Sequence, residues 1–590
     1  MRPIIIFLLF SSVCFAQTNT YTISFENAEQ HEAKITVNFP SLEQEPLIVR
    51  MSRTSPGRYA LHEFAKNVYG VKASNSQGEN LKVTRPDPYS WEIKGHDGTI
   101  NLEYNLFANR ADGTYSQIDQ THAHLNIPAT FMYAETHETR PVEVTFNTEH
   151  FPEWKIATQL EKLGANKFAA RNLQYFMDSP TEISDHKLRD FELDGQTIKF
   201  VLHGPASTEE FNEYFNKVQK IVKQQKAIFG ELPQFDFGEY TFLACYIPHA
   251  SGDGMEHRNS TILTSPRTLS EGGMERNIGT VAHEFFHAWN VERIRPEDLE
   301  PFDFTEANMS GLLWFAEGFT SYYTPLTLVR GGVTTPLDYV NSLNGTFNYV
   351  WNSPGREFYN PVEMSYQAPF VDAATSVDPV NRENTFISYY SYGSMLGLAL
   401  DLQLRQKGQN LDEFMKLVWE KYGKTEIPYS LEDLENTLAN YAGQEFAADY
   451  FDNYIYDSKM PDFADLFKSV GLKLERGSKN AFFGASVTQD ADSFYISSNP
   501  QKDSPAYVAG LSQGDRIISV NGITLDSDTA WEDEFEKYDP KEVLKIEIER
   551  FGETLQKTVE LQEDPSYKIS IDSNATKKAV MAREQWLSAK

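Results

Sequence analysis

The stretch Ile278-Gly279-Thr280-Val281-Ala282-His283-Glu284-Phe285-Phe286-His287-Ala288-Trp289-Asn290 decides how the middle of this chain is read. On a helix, residues four apart share a face with about 5–6 Å between Cβ atoms, so His283 and His287 can converge on one ion. Glu284 is rotated by about 100° from His283 and can reach a water on that ion without being a ligand. Ile278, Ala282, Phe285 and Trp289 form an apolar stripe that buries the other side. With 13 histidines in 590 residues, such a pattern arises by chance in about one chain in fifty. The motif therefore needs a third ligand before it means a metal centre. The plainer reading is a helix carrying two surface or core histidines.

A catalytic zinc takes three protein ligands and keeps one position open. Glu317 is the best candidate for the third. It is the single carboxylate in Trp314-Phe315-Ala316-Glu317-Gly318-Phe319-Thr320-Ser321-Tyr322-Tyr323, an apolar and aromatic helical run where an unpaired charge costs several kcal/mol. A cation removes that cost. A buried Glu paired with Arg or Lys would remove it too.

Outward from this centre, 590 residues imply roughly four domains. Apolar residues at 40% and aromatics at 13% fill cores too well for a disordered scaffold. Acidic residues outnumber basic ones by 84 to 53, a formal charge of −31. That field repels phosphate backbones and anionic headgroups, which argues against nucleic-acid and membrane-surface partners. Arg2, the apolar run Ile4–Phe10 and the small residue Ala16 read as a secretory signal over 1–16, too short to span a bilayer. An exported chain, periplasmic or extracellular, is expected, with no membrane-spanning segment after cleavage. Its one remaining cysteine, Cys245, cannot form an intramolecular disulfide.

The fold class read from the pattern is multidomain α+β. Residues 17–206 alternate as strands, with Tyr21, Ile23 and Phe25, then Ala33, Ile35, Val37 and Phe39, as in an antiparallel sheet or sandwich. Ile100–Leu106 and Val142–Phe146 alternate likewise. No constellation of chemical residues stands out there. Residues 207–462 are mainly helical and begin at a capping-box signature, Ser207 and Glu210. One strand-like run, Tyr240–Tyr246, breaks into a Gly-rich loop and resumes near 260–263. A smaller β domain follows at 463–563, with an Asn521-Gly522 turn, and 564–590 form a C-terminal tail.

His283-Glu284-x-x-His287 followed by Glu317-Gly318 resembles the gluzincin metallopeptidases. The longer string His283–Pro296, together with Ser55-Pro56-Gly57-Arg58-Tyr59, is similar to the bacterial glycyl aminopeptidase family. The resemblance implies a thermolysin-like catalytic domain, one Zn²⁺ per chain on His283, His287 and Glu317, and a C-terminal PDZ-like domain. Gly252-Asp253-Gly254-Met255-Glu256-His257 resembles the exopeptidase motif of related aminopeptidases. By that likeness Gly254, Met255 and Glu256 bind substrate, Glu256 taking the free α-amino group; a Gly-rich turn with a solvated Glu is the alternative. Tyr389-Tyr390-Ser391-Tyr392 resembles the segment that supplies a transition-state tyrosine, Tyr390, with Tyr392 as fallback and plain packing as the other reading.

The implied reaction is hydrolysis of a small N-terminal residue, Gly or Ala, from peptides with free N-termini. Glu284 is the general base and Tyr390 an oxyanion donor. The PDZ-like module would take an extended peptide through a carboxylate loop near Phe482-Phe483-Gly484-Ala485, or would only brace the catalytic domain. Two other functions share these residues. One is a zinc endopeptidase, which would still cut an N-acetylated peptide. The other is a non-catalytic peptide-binding protein, against which Glu284 argues, because a structural ion does not need it.

Overall fold

The computed structural model describes residues 17–43, 45–371, 380–490, 493–525 and 531–590. The signal read over 1–16 lies outside the described residues. The chain divides into two compact units, and neither is one continuous stretch of sequence. The first comprises 1–207, 234–274 and 302–307; the second comprises 208–233, 275–301 and 308–590.

In the first unit, period-two alternation becomes a seven-stranded sheet. Asn19–Asn27 pairs antiparallel with Glu32–Phe39, which pairs with Ile100–Phe107. On its other edge Asn19–Asn27 runs parallel to Val142–Asn147, so the sheet is not antiparallel throughout. Every apolar residue read as inward is buried: Tyr21, Ile23, Phe25, Ile35, Val37, Tyr104 and Phe146 are each at most 2% exposed. A second, four-stranded sheet contains strand β1 (Gln117–Ile118), strand β2 (His122–Leu125), Thr181–Ser184 and Lys155–Thr158. β1 and β2 form a short hairpin, Gln117 opposite His124.

A third sheet has five strands and draws its members from both sides of residue 207. Gln196–His203 runs parallel to β3 (Glu239–Tyr246). Strand β4 (Asp253–His257) lies at the edge, antiparallel to β5 (Ser260–Ser265), which runs parallel to β3. Residues 240–246 of β3 are all buried, as expected of a strand covered on both faces.

The second unit is helical and then β. Helix α1 (Thr208–Phe229) buries Phe211, Phe215, Val218 and Val222, the stripe its spacing predicts. It packs on helix α2 (Ile278–Phe286): Gln225 Nε2 donates to the Ala282 carbonyl at 2.5 Å, and Phe229 stacks on Trp289 at 4.8 Å. Ile278, Ala282, Phe285 and Trp289 are at most 2% exposed. The sequence suggests a helix reaching Asn290, but α2 ends at Phe286 and 287–290 form turns. Past Phe286 the backbone tightens to i→i−3 bonds, Ala288 N–H to the Phe285 carbonyl and Trp289 N–H to the Phe286 carbonyl, each at 3.1 Å. The Asn290 side-chain amide donates to the Phe315 and Ala316 carbonyls at 3.2 and 3.0 Å, tying this turn to α3.

Helix α3 (Leu313–Arg330) carries Glu317 and crosses helix α4 (Tyr389–Gln406) at a pair of glycines. A Cβ on Gly318 would lie 2.4 Å from the Gly393 Cα, and one on Gly393 only 1.9 Å from the Trp314 carbonyl oxygen. Side chains at either position would force the helices apart. Past the β domain, Tyr567–Ile571 pairs with Leu472–Arg476, and a helix over Lys577–Leu587 returns to α3. Trp586, fully buried, donates from Nε1 to the Tyr322 hydroxyl at 3.0 Å, and its carbonyl accepts from Arg330 Nε at 2.9 Å. Asp412 pairs with both Arg330 (3.0 Å) and Lys590 (3.1 Å).

The β domain follows its sequence closely. Ser519↔Thr524 and Val520↔Ile523 close a two-residue hairpin on Asn521 and Gly522, both at positive φ (51° and 80°), as a type I′ turn requires. Leu544, Ile546 and Ile548 are fully buried. Among the described residues, no helix is long and apolar enough to cross a membrane.

Candidate active site

In the second unit α2 and α3 bring three side chains to one point. His287 Nε2 lies 3.2 Å and His283 Nε2 3.5 Å from Glu317 Oε2. Two ligand atoms each about 2.0–2.1 Å from a tetrahedral ion sit roughly 3.3–3.4 Å apart, so the spacing suits a shared cation.

The far side of each ring decides what faces the centre. His287 Nδ1 lies 2.5 Å from the Asn290 carbonyl, which can only accept, so Nδ1 carries the hydrogen. Thr324 gives its hydroxyl hydrogen to the Thr320 carbonyl at 2.9 Å and stands 3.3 Å from His283 Nδ1. Its oxygen is thus the acceptor for the His283 N–H. In the neutral rings both Nε2 atoms are then lone pairs aimed at a carboxylate oxygen. That arrangement is repulsive without a cation among them, and the donor set of two imidazoles and one carboxylate fits zinc.

Burial sharpens the electrostatics. Glu317 and His287 are each 1% exposed. Burial pushes the Glu317 carboxyl up, whereas imidazoles in their protonated, donating form outweigh it and hold the group well below the ordinary carboxylate range; with the rings neutral, a cation would take over that role. Burial also lowers His283, favouring the neutral imidazole that a metal ligand must be.

Glu284 is buried, with a carboxylate oxygen within 4.8 Å of a His287 ring nitrogen. The Tyr390 ring, in the first turn of α4, lies 5.9 Å from that of His283. The Gly318–Gly393 crossing sets that placement, because Tyr390 is one turn before Gly393. Tyr392 instead is fully buried, with Arg356 and Ser458 as neighbours and a hydroxyl pushed up to about 12, chiefly by burial.

Gly254, Met255 and Glu256 lie in the first unit, on β4. Met255 is 1% and Glu256 6% exposed. The loop Ser55–Tyr59 covers them: at Gly57 (φ 75°) a Cβ would fall 2.2 Å from Met255 Sδ and 3.0 Å from Glu256 Oε2. Arg58 pairs with Asp253, and the Gly113 N–H donates to the same carboxylate at 2.9 Å. His283, Glu284, His287, Glu317 and Tyr390 are thus gathered in one unit, and the three β4 residues stand together in the other.

Sequence reasoning did not single out Asn290, Thr324 or Gly393. Asn290 closes the motif three residues after His287, and Thr324 is a hydroxyl two turns beyond Glu317. Both sit on the ligand-bearing segments, which was the available signal.

Within the second unit, a cavity of about 1110 Å³ lies where Phe482, Phe483, Gly484, Trp531 and Phe535 of the β domain face helical residues 348–354 and 382–391. Tyr349 and Ser391 also line it.

Two histidines four residues apart, one on α2 and one at its C-cap, beside a buried carboxylate on α3 form the donor set of a metallopeptidase zinc. Residues 20–185 match the peptidase M61 N-terminal domain, 276–396 match the family described as M61 glycyl aminopeptidase, and 481–561 match a PDZ domain. Three regions of the chain thus match M61 N-terminal, M61 catalytic and PDZ models, and the chain is a metallo-aminopeptidase with a C-terminal PDZ domain. Among solved structures it is similar to an aminopeptidase N family protein from Idiomarina loihiensis, with 24% identity, 97% of this chain and 100% of that chain covered, and a TM-score of 0.86. An M1 zinc metallopeptidase from Deinococcus radiodurans matches at 13% identity over 76% of this chain and 95% of that one, with a TM-score of 0.43. No curated protein matches.

Proposed function

We propose that this chain removes small N-terminal residues, Gly or Ala, from peptides with free N-termini, and that His283, His287 and Glu317 would hold its single catalytic zinc. The observation that carries the reading is the approach of two imidazole nitrogens to one Glu317 oxygen at 3.2 and 3.5 Å. Bound there, zinc would supply the Lewis acidity that polarises the scissile carbonyl and acidifies a water. Glu284 takes the proton from that water and delivers it to the leaving amine. The Tyr390 hydroxyl donates to the carbonyl oxygen as its negative charge develops. Glu256 holds the α-ammonium of the substrate, with Gly254 and Met255 shaping the strand around it, so that cleavage falls after the first residue.

The PDZ domain takes an extended peptide in the cavity beside Phe482–Ala485, a reading supported by its volume and by the apolar side chains Phe482, Phe483, Trp531 and Phe535 on one side. Export on the signal read over 1–16 belongs to the same proposal, and a mature N-terminus at Gln17 would support it.

Metal analysis paired with a panel of aminoacyl amides, with and without chelator, tests the assignment. Chelation should abolish release from Gly and Ala amides, added zinc should restore it, and N-acetylated peptides should stay intact. Cleavage of those peptides would make the chain an endopeptidase. Glu284→Gln should keep its zinc and lose about 10²–10⁴-fold in kcat; undiminished turnover removes Glu284 as the base.

A further inference from the structure

The strands of the first unit hold a cluster of titratable side chains that the hydrolytic centre does not use. Its pivot is His122 at the start of β2, fully buried. Glu182, 1% exposed, stands across the sheet opposite His124. Its two oxygens are taken by two histidines, His122 Nδ1 at 3.3 Å and His124 Nδ1 at 3.2 Å. His124 Nε2 also lies 3.0 Å from the Asp112 carbonyl. Both nitrogens of His124 therefore face groups that only accept, so both carry hydrogens and His124 balances the Glu182 charge. His122 need only donate from Nδ1 to Glu182. That leaves its Nε2 a lone pair, buried and without a hydrogen-bond partner among the described residues.

That lone pair faces another acceptor. Asp119 Oδ2 lies 3.7 Å from His122 Nε2 and 3.8 Å from His249 Nε2, too far for hydrogen bonds. Asp119 Oδ1 is already committed to the Thr121 N–H and hydroxyl at 2.7 and 2.6 Å. The three ligand atoms all lie within 4.8 Å of one another, and Asp119 Oδ2 also accepts a long bond from Gln117 Nε2 at 3.4 Å. The His203 ring stacks on His122 at 4.3 Å and 13°, and its ligand atom groups with those of His122 and Glu182 rather than with Asp119 and His249.

We propose that Asp119, His122 and His249 form a second metal site, for a divalent transition ion of the zinc type. Two imidazoles and one carboxylate are zinc's usual donors, and the Glu182–His122 bond is the carboxylate–histidine support that fixes a ligand ring and raises its basicity. His249, with its side chain 56% exposed, supplies the entry side and the few tenths of an ångström of closure that the ion requires. Solvent completes the coordination. The bound ion ties the β1–β2 turn to the loop between β3 and β4, four residues before Asp253, where the strand carrying Glu256 begins.

Zinc titration of the full chain, stripped by chelator and then freed of excess metal, reads the site directly. The wild type should hold two zinc ions per chain, His249→Ala one, Glu317→Ala one, and the double variant none. Zinc should raise the melting temperature of Glu317→Ala but not of the double variant. His249→Ala, changed at an exposed position, should keep its hydrolytic activity. One zinc per wild-type chain at saturation, or two in His249→Ala, overturns the second site. If instead Glu317→Ala kept two ions while His249→Ala kept one, the second site would stand and the assignment of Glu317 as ligand would fall.

Discussion

His283 and His287 meet Glu317 from two packed helices, at 3.2 and 3.5 Å. His122 and His249 meet Asp119 from a hairpin turn and an exposed loop, at 3.7 and 3.8 Å. Each cluster anchors a far ring nitrogen, through Asn290 and Thr324 in one and Glu182 in the other. The difference lies in what holds the ligands apart. In the helical centre burial and helix packing set the separations before any ion arrives, whereas the hairpin cluster must order a solvent-facing imidazole on binding. Preorganisation lowers the cost of binding, so the helical centre should hold its zinc more tightly, and only it has a buried base and a phenol at hand.

The largest expected effect separates the two clusters outright. Glu317→Ala should lose the ion of the helical centre and fall to the activity of the chelated enzyme; full zinc content in that variant, measured by metal analysis, would break the comparison. Next comes Tyr390→Phe, which should keep both ions and cost about 10²–10³-fold in kcat with little change in KM. Unaltered kcat would return Tyr390 to a packing role.

Gly393→Ala probes the scaffold rather than the chemistry. Its methyl meets the Trp314 carbonyl at 1.9 Å, so thermal unfolding should show a loss of about 1–3 kcal/mol or more, with activity lowered as Tyr390 shifts. A wild-type melting profile would mean that α3 and α4 separate easily.

The smallest effect is a pH dependence. Burial pushes the Asp412 carboxyl up, but Arg330 and Lys590 hold it below its ordinary 3.8. A depressed carboxylate contributes stability above its unfolded pKa and loses it as pH falls through the folded one. The stability gap between wild type and Asp412→Asn, followed by tryptophan fluorescence, should be flat above about pH 4 and shrink below it. A gap unchanged down to pH 2 would contradict the pairing.

Much of this was legible from residue spacing. Alternation at Tyr21–Phe25 and Ala33–Phe39 placed those side chains inward, and the i, i+4 histidines with a lone carboxylate in an aromatic run gave three side chains that the structure brings together. Less legible was anything that depends on strands distant in sequence. Nothing local to His122, Glu182 or His249 marks them as neighbours, since the sheet pairing and the β3–β4 loop bring together residues 60 and more positions apart. The expectation that no chemical constellation stands out in the first 200 residues therefore fails at Asp119 and His122. The parallel pairing of Asn19–Asn27 with Val142–Asn147 was hidden for the same reason, because alternation reports which face is buried and not which neighbour is paired.

The return of the Lys577–Leu587 helix to α3 has a consequence for synthesis. Tyr322 and Arg330, on the helix that carries Glu317, gain their Trp586 partners only after some 260 further residues have left the ribosome. A nascent chain thus carries the hydrolytic residues long before it can clamp them.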